Sequence, residues 1–138
     1  MDKIVKVWFD DNRIFIETDN QQTLSRPLEA FPTLKDASEK DRNDLKIGRF
    51  GDDIRWETLD EDLHISSCYE KSEPNPDNEV GRIFRQFPQL DVAAVASDIG
   101  IHKSLLYKFI YGIQEPSQER MRQIKSALHN VGKRLIVV

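Results

Sequence analysis

Two rhythms of apolar residues divide the chain. Up to about residue 70 they come in short blocks rich in β-branched and aromatic side chains. IVKVWF (4–9) and RIFIET (13–18) predict two strands, with turn chemistry supplied by Asp10, Asp11 and Asn12 between them. TLSRPL (23–28) predicts a third short strand, its Pro27 suited to an edge or an end. From Phe31 the apolar marks thin out. Thr33, Leu34, Ala37 and Leu45 stand among charges in PTLKDASEKDRNDL (32–45), which predicts one surface helix over a sheet face. KIGRF and DIRW then flank Gly51-Asp52 as a second hairpin, and ETLDEDLHISSCY closes the segment.

Beyond residue 80 the period becomes helical. Ile83, Phe84 and Phe87 predict a short helix that stops before Pro88, and VAAVASDI (92–99) and HKSLLYKFIY (102–111) predict two more. SQERMRQIKSALHN (117–130) is the fourth, with Pro116 and Ser117 as its start signals and Met121, Ile124, Ala127 and Leu128 as its buried stripe. Gly132 is placed to end it, and RLIVV (134–138) then reads as a strand. Between the rhythms, KSEPNPDNE (71–79) holds two prolines among polar residues and predicts a short, stiff linker. The expected fold is α+β. A module of hairpins plus one helix spans 1–70, and residues 71–79 link it to an all-α domain (80–138) of about four helices with a C-terminal strand.

Charge sharpens this division. Residues 1–78 hold 11 Lys+Arg against 19 Asp+Glu, a net −8, whereas residues 79–138 hold 9 against 5, a net +4. Opposite signs suit modules with different partners, and a basic half is what phosphate binding needs. The single cysteine, Cys68, excludes an intramolecular disulfide and a CxxC metal site, and it reads as a small semi-buried apolar residue. No stretch resembles a membrane span or a secretory segment, so a cytoplasmic protein is expected.

Catalytic patterns are missing. His64, His102 and His129 fall in unrelated contexts, without a Ser/His/Asp arrangement, an HExxH motif or a phosphate-cradling glycine loop. Asp52, Asp53, Asp60, Glu61 and Asp62 could supply oxygen ligands to Mg²⁺ or Ca²⁺, but the spacing of a calcium loop is absent. Leu59 and Leu63 beside them suggest a turn that pins apolar residues inward and leaves the acids in water. The expectation is a non-enzyme with no cofactor and no metal. A metal-dependent enzyme built on the acids is the third reading.

GDDIRWETLDEDLHI (51–65) resembles the signature of the family known as domain of unknown function 2442. The matching residues are Ile54, Trp56, Leu59, Asp60, Glu61, Asp62, Leu63 and Ile65, and the "PTLKDAS" opening of the helix is also similar. The resemblance covers about residues 1–70 and implies a small α+β fold without established enzymatic activity. Members with a C-terminal helix-turn-helix, and others beside a small partner protein, imply a DNA-binding or an antitoxin-like setting.

VAAVASDIGIHKSLLYKFIY (92–111) fills the slots of a helix-turn-helix. Ala96 is the small residue where the helices cross, Gly100 the turn, and Val95, Ile99, Ile101, Leu106 and Phe109 the wedge. The run on through YGIQEPSQERMRQIKSAL resembles the lambda-repressor-like (XRE) family over about residues 80–130. Two residues look out of place on a reading helix, Leu105 and Ile110. At about 100° per residue they share one arc of about 140° with Leu106 and Phe109, which makes them part of the core stripe. The opposite arc carries Lys103, Ser104, Tyr107, Lys108 and Tyr111, the candidate DNA-binding residues. Lysine can meet guanine or phosphate, serine can donate or accept, and tyrosine can reach phosphate or sugar. By similarity to the family, Lys103, Ser104 and Lys108 match positions that meet base edges.

Some phosphate-seating residues common in that family are replaced. Val92 follows Asp91 where a Gln is frequent, and the loop after the third helix offers Gln114 and Glu115. Modest monomer affinity, raised by dimerisation on two half-sites, is therefore expected. The expected partners are double-stranded DNA and a second copy of the chain, the dimer using the RLIVV edge unless that strand joins the N-terminal sheet instead. The alternative is an antitoxin-like protein whose acidic module binds a small basic partner while its helix-turn-helix autoregulates the operon.

Overall fold

The first hairpin closes through only two residues, Asp11 and Asn12, which both take positive φ (49° and 58°). That is type I′ geometry, whose twist matches the strands it joins. It sets β1 (Ile4–Asp10) antiparallel to β2 (Arg13–Thr18) with Trp8 opposite Phe15. The two rings stack at 5.5 Å on the sheet face opposite to Ile14 and Ile16, and the Lys6 ammonium lies 5.1 Å from the Trp8 ring centre. β3 (Thr23–Pro27) pairs with the other side of β2, ending at Pro27. β4 (Lys46–Ile47), β5 (Asp53–Trp56) and β6 (Glu61–His64) form a second antiparallel sheet. The Ile4 amide donating to the Gly51 carbonyl (2.7 Å) joins the two sheets. Ile4, Ile14, Ile16, Leu28, Leu34, Ile54, Trp56, Leu63, Ile65 and Cys68 make one core between them.

This computed structural model describes residues 2–138. They fall into two units, the first ending at Glu73 and the second running Pro74–Val138. No helix among the described residues is long and apolar enough to cross a membrane.

Residues 32–45 do not form the single helix expected. They make two helices of one turn or so, α1 (Pro32–Asp36) and α2 (Glu39–Asn43), separated by extended Ala37 and Ser38. Ser38, Arg42 and Trp56 together set the break. The Ser38 hydroxyl accepts from the Asp41 amide and starts a new helix, an N-cap that a continuous helix would forgo. The Arg42 guanidinium then donates to the carbonyls of Leu34 (2.9 Å), Lys35 (3.1 Å) and Ala37 (3.2 Å), satisfying the end of α1. Trp56 fixes this arrangement from the core, its indole N–H donating to the Arg42 carbonyl at 2.7 Å.

A 3-10 turn (Ile65–Tyr69) follows β6 and buries Ile65 and Cys68. Burial pushes the Cys68 thiol up to about 11, against a smaller opposing pull from Arg26. We expect the native thiol to react with Ellman's reagent at pH 8 at least 100-fold more slowly than in denaturant, the lowered thiolate fraction alone giving about that factor. Labelling at the denatured rate would mean that the 3-10 turn is open in solution.

Residues 70–73 return along β3. Arg26 is fully buried there, and its guanidinium donates to the carbonyls of Glu70 (3.0 Å) and Ser72 (2.7 Å) and to the Ser72 hydroxyl (3.1 Å). Arg13 holds Glu73 through two nitrogens, at 2.6 and 3.2 Å, and keeps that carboxyl below its ordinary range. The polar residues expected to be plain linker thus belong in part to the first unit.

The second unit is all helical: α3 (Glu79–Gln86), α4 (Val92–Ile99), α5 (Lys103–Tyr111) and α6 (Gln118–Ile136). Val80, Phe84, Val95, Ala96, Leu106, Phe109, Ile124 and Ala127 form its core. The expected C-terminal strand is absent, because α6 runs through Gly132 and on to Ile136. Gly132 does not end the helix. A mid-helix glycine costs only about 1 kcal/mol, and a unit without strands offers RLIVV nothing to pair with, so the β-branched residues continue the helix.

Candidate nucleic-acid interface

The presentation of α5 starts with how α4 ends. Asp91 caps α4, its carboxylate accepting from the Ala94 amide at 3.2 Å. Gly100 stops it in the left-handed region (φ 76°), and the Ile101 amide turns back to the Ala96 carbonyl at 3.0 Å. Two residues later the chain is helical again. The start of α5 is capped by the side chain of His102, whose Nδ1 accepts from the Ser104 amide at 3.1 Å. A second left-handed glycine, Gly112 (φ 75°), ends α5, with the Ile113 amide donating to the Lys108 carbonyl at 3.0 Å. The start of α5 is thus fixed by a side chain and its end by the backbone.

The core side of α5 is wide. Leu106 and Phe109 are buried, and Leu105 and Ile110 are half-buried against the same core. This accounts for the two apolar residues that look misplaced in sequence. Lys103 is exposed, and Ser104, Tyr107, Lys108 and Tyr111 are partly exposed. Lys103, Tyr107 and Tyr111 follow one another at four-residue steps, as do Ser104 and Lys108, so the five side chains share one side of a helix of under three turns. The Tyr107 and Tyr111 rings stack at 5.7 Å with 21° between their planes. The Ser104 hydroxyl lies 3.0 Å from His102 Nδ1.

Charge on this face is uncompensated. Neither the Lys103 nor the Lys108 ammonium has a hydrogen bond or ion pair among the described residues. Several cations elsewhere in the unit are taken: Arg82 by Asp77 (2.7 Å), Lys125 by Glu79 (2.7 Å), Arg122 by Glu119, and Arg85 by the Pro76 carbonyl (2.7 Å).

The acidic residues of the first unit are arranged differently from a ligand set. Arg55 lies opposite Asp62 on neighbouring strands and donates to Asp62 at 2.9 Å, to Asp60 at 2.8 Å and to Glu57 at 3.3 Å. Those bonds, the one to Asp60 foremost, raise the Arg55 pKa above its ordinary value. Asp52 instead lies 3.8 Å from His64 Nε2. No three His, Cys, Asp or Glu side chains among the described residues gather as metal ligands.

Two structural details escaped the sequence. His102 gave no cap signal because Ser, Asp, Asn and Thr are the usual caps, although its spacing from Ser104 would have suited one. Arg55 was legible in principle, since strand alternation and the register across the second hairpin put it beside Asp62.

The family described as protein of unknown function (DUF2442) matches residues 4–74. A protein of unknown function from Rhodospirillum rubrum has a solved structure similar to this one with a TM-score of 0.44 at 23% identity, over 51% of this chain and 93% of that one. A protein from Nitrosomonas europaea, provisionally described as DNA binding, is similar with a TM-score of 0.37 at 10% identity, over 90% of this chain and 84% of that one. Likenesses this distant add no argument about function. No curated protein matches the chain.

Proposed function

The chain belongs to the DUF2442 family, whose description assigns no function, so its own surfaces must supply one, and we propose that it is a cytosolic transcriptional regulator that reads double-stranded DNA with α5. In this reading α4, the turn at Gly100 and α5 act as a helix-turn-helix of the lambda-repressor-like kind. The observation that carries the reading is the pair Lys103 and Lys108, unpaired cations on the solvent side of a helix capped at both ends. Uncompensated lysines release DNA counterions on contact, which is where most non-specific affinity originates. Ser104 is placed to meet a base edge or phosphate, and Tyr107 and Tyr111 a phosphate or sugar. The net +4 of residues 79–138 supports the same partner. By similarity to the lambda-repressor-like family, Asp91–Val92 and Gln114–Glu115 stand where phosphate-seating residues are frequent, so one unit binds modestly and a homodimer on two half-sites, about 34 Å apart, raises the affinity.

The test is fluorescence anisotropy of the full chain on its own upstream DNA and on a scrambled duplex, at two salt concentrations. Tighter, salt-dependent binding to the upstream sequence is expected. Lys103→Ala with Lys108→Ala should weaken it about 10- to 100-fold and reduce the salt slope by about two. Unchanged affinity and slope in the double variant would remove α5 as the reader.

A second reading draws on the acidic unit. Asp60 and Asp62, each tied to Arg55, keep most of their surface in water, and residues 1–78 carry −8. A small basic protein held there, with the helical unit controlling a shared operon, would make the chain antitoxin-like. Co-purification of such a protein with the full chain from its native host, lost at high salt, distinguishes this reading from the first.

A further inference from the structure

The last four carbonyls of a helix have no partner within it, and those of α5 can be followed one by one. Two are satisfied by the turn at its end: the Gly112 amide donates to the Phe109 carbonyl (3.1 Å) and the Ile113 amide to the Lys108 carbonyl (3.0 Å). The other two are satisfied from outside. The Asn75 amide donates to the Tyr111 carbonyl at 2.8 Å, and the Asn78 side-chain amide donates to the Ile110 carbonyl at 3.1 Å. Both donors come from the polar stretch expected to be linker.

Three pieces of chain meet at Asn78. Its Oδ1 accepts from the Gly81 amide at 2.8 Å and caps α3. Its Nδ2 donates to the Asn75 carbonyl (2.8 Å) as well as to that of Ile110. Ser, Asp and Asn cap a helix about equally well, but of the three only Asn also carries two donors. The choice of Asn at this position is therefore explained by α5, and α3 alone does not require it. The approach is close, since a Cβ at Gly81 would lie 2.6 Å from the Ile110 carbonyl oxygen. The segment that carries the tie is itself anchored, Asp77 to Arg82 at 2.7 Å and the Pro76 carbonyl to Arg85 at 2.7 Å.

We propose that Asn78 is a positioning residue for the reading helix: through the Ile110 carbonyl it fixes the tilt of α5, and with it the discrimination between DNA sequences. The proposal rests on the reading of α5 as the DNA-facing helix and adds what aims it. The nine residues of α5 span about 13 Å, so a tilt of about 10° around its start moves its far end by about 2 Å. Lys108, in the last turn, is displaced more than Lys103 or Ser104. Base-edge contacts need placement within about 0.5 Å, whereas a lysine on its flexible stem still reaches a phosphate. Losing the tie costs discrimination and spares non-specific affinity.

Asn78→Ser and Asn78→Asp, made in the full chain, keep the α3 cap and remove the tie. Circular dichroism gives the melting midpoint of each, and fluorescence anisotropy is then run well below it on the upstream and the scrambled duplex. A variant that only folds less well loses the same factor on both, because its competent fraction alone has changed. A positioning residue changes the ratio. In Asn78→Ser the preference for the upstream duplex should fall about 10-fold, comparable to one well-aligned base contact. Its affinity for the scrambled duplex should change less than about 2-fold, with the salt slope unchanged. Asn78→Asp should lose at least as much preference, since its carboxylate faces two carbonyls, and it decides the matter should the serine variant not fold. An undiminished preference in either folded variant overturns the proposal, as does an equal loss on both duplexes. A wild type that prefers neither duplex overturns the reading of α5 and this inference with it. A discriminating wild type whose variants also discriminate removes only the part given to Asn78.

Discussion

Trp56→Ala is expected to destabilise the first unit by about 4 kcal/mol, within the usual range for removing a buried tryptophan, and to leave the helical unit folded. Trp56 is completely buried among Ile4, Ile14, Leu34, Ile54 and Leu63, so its loss opens a cavity where both sheets meet. The indole also holds the Arg42 carbonyl, and Arg42 in turn closes the end of α1. Trp56→Phe separates these contributions, since it keeps much of the volume and orphans the carbonyl, at a cost of about 1–3 kcal/mol. Both tryptophans of the chain, Trp8 and Trp56, lie in the first unit, so in Trp56→Ala the fluorescence of Trp8 reports that unit. The far-ultraviolet helix signal is dominated by the second. Urea titrations followed by both probes should show the fluorescence transition moving to much lower denaturant and the helical transition staying in place. Equal losses for the alanine and phenylalanine variants would mean that the ring's volume contributes little.

Gly112→Ala is expected to cost the helical unit about 3 kcal/mol or more, and Gly100→Ala only about 1, although the two glycines have nearly the same φ (75° and 76°). The left-handed penalty is common to both. What differs is the surroundings. A Cβ at position 100 meets nothing within 4 Å, whereas one at position 112 falls 2.0 Å from the Asn75 carbonyl oxygen and 3.0 Å from the Asn75 amide nitrogen. Both contacts are backbone, so the clash can be relieved only by moving residue 75. That movement breaks the bond from the Asn75 amide to the Tyr111 carbonyl (2.8 Å) and strains the Asn78 side chain, which donates to the carbonyls of Asn75 (2.8 Å) and Ile110 (3.1 Å). Thermal melts followed by circular dichroism at 222 nm would compare the two variants directly. If Gly100→Ala proved as damaging as Gly112→Ala, the backbone conformation would outweigh the contact with Asn75.

Strands and helices with strong patterns were readable from the sequence. The hairpin at Asp11-Asn12, the ends of α4 and the burial of Leu105 and Ile110 follow from local turn chemistry and from one helical period. The misreadings share a cause, which is that distant partners decided the outcome. Ala37 and Ser38 interrupt a helical composition because Arg42 and Trp56 reward the break. Leu135 to Val138 look like a strand because β-branched residues favour one, but a strand needs an edge and the second unit has none. Arg26 was invisible for the same reason. Nothing beside it in sequence announces a buried guanidinium whose acceptors are the carbonyls of Glu70 and Ser72, more than forty residues away. The candidate face on α5 was legible because a helix surface depends on spacing alone. What its lysines contact is a question for the binding experiment.

Arg13 and Arg26 also bear on how this architecture could have been assembled. Gene fusion and recombination can exchange modules only at joints that no side chain bridges, since a cut elsewhere leaves one half holding a group that evolved to be satisfied by the other. A break after Glu70 would take the Ser72 acceptors from a fully buried guanidinium and remove the carboxylate that Arg13 grips. The inheritable piece is therefore longer than its strands and helices, and it ends no earlier than Glu73.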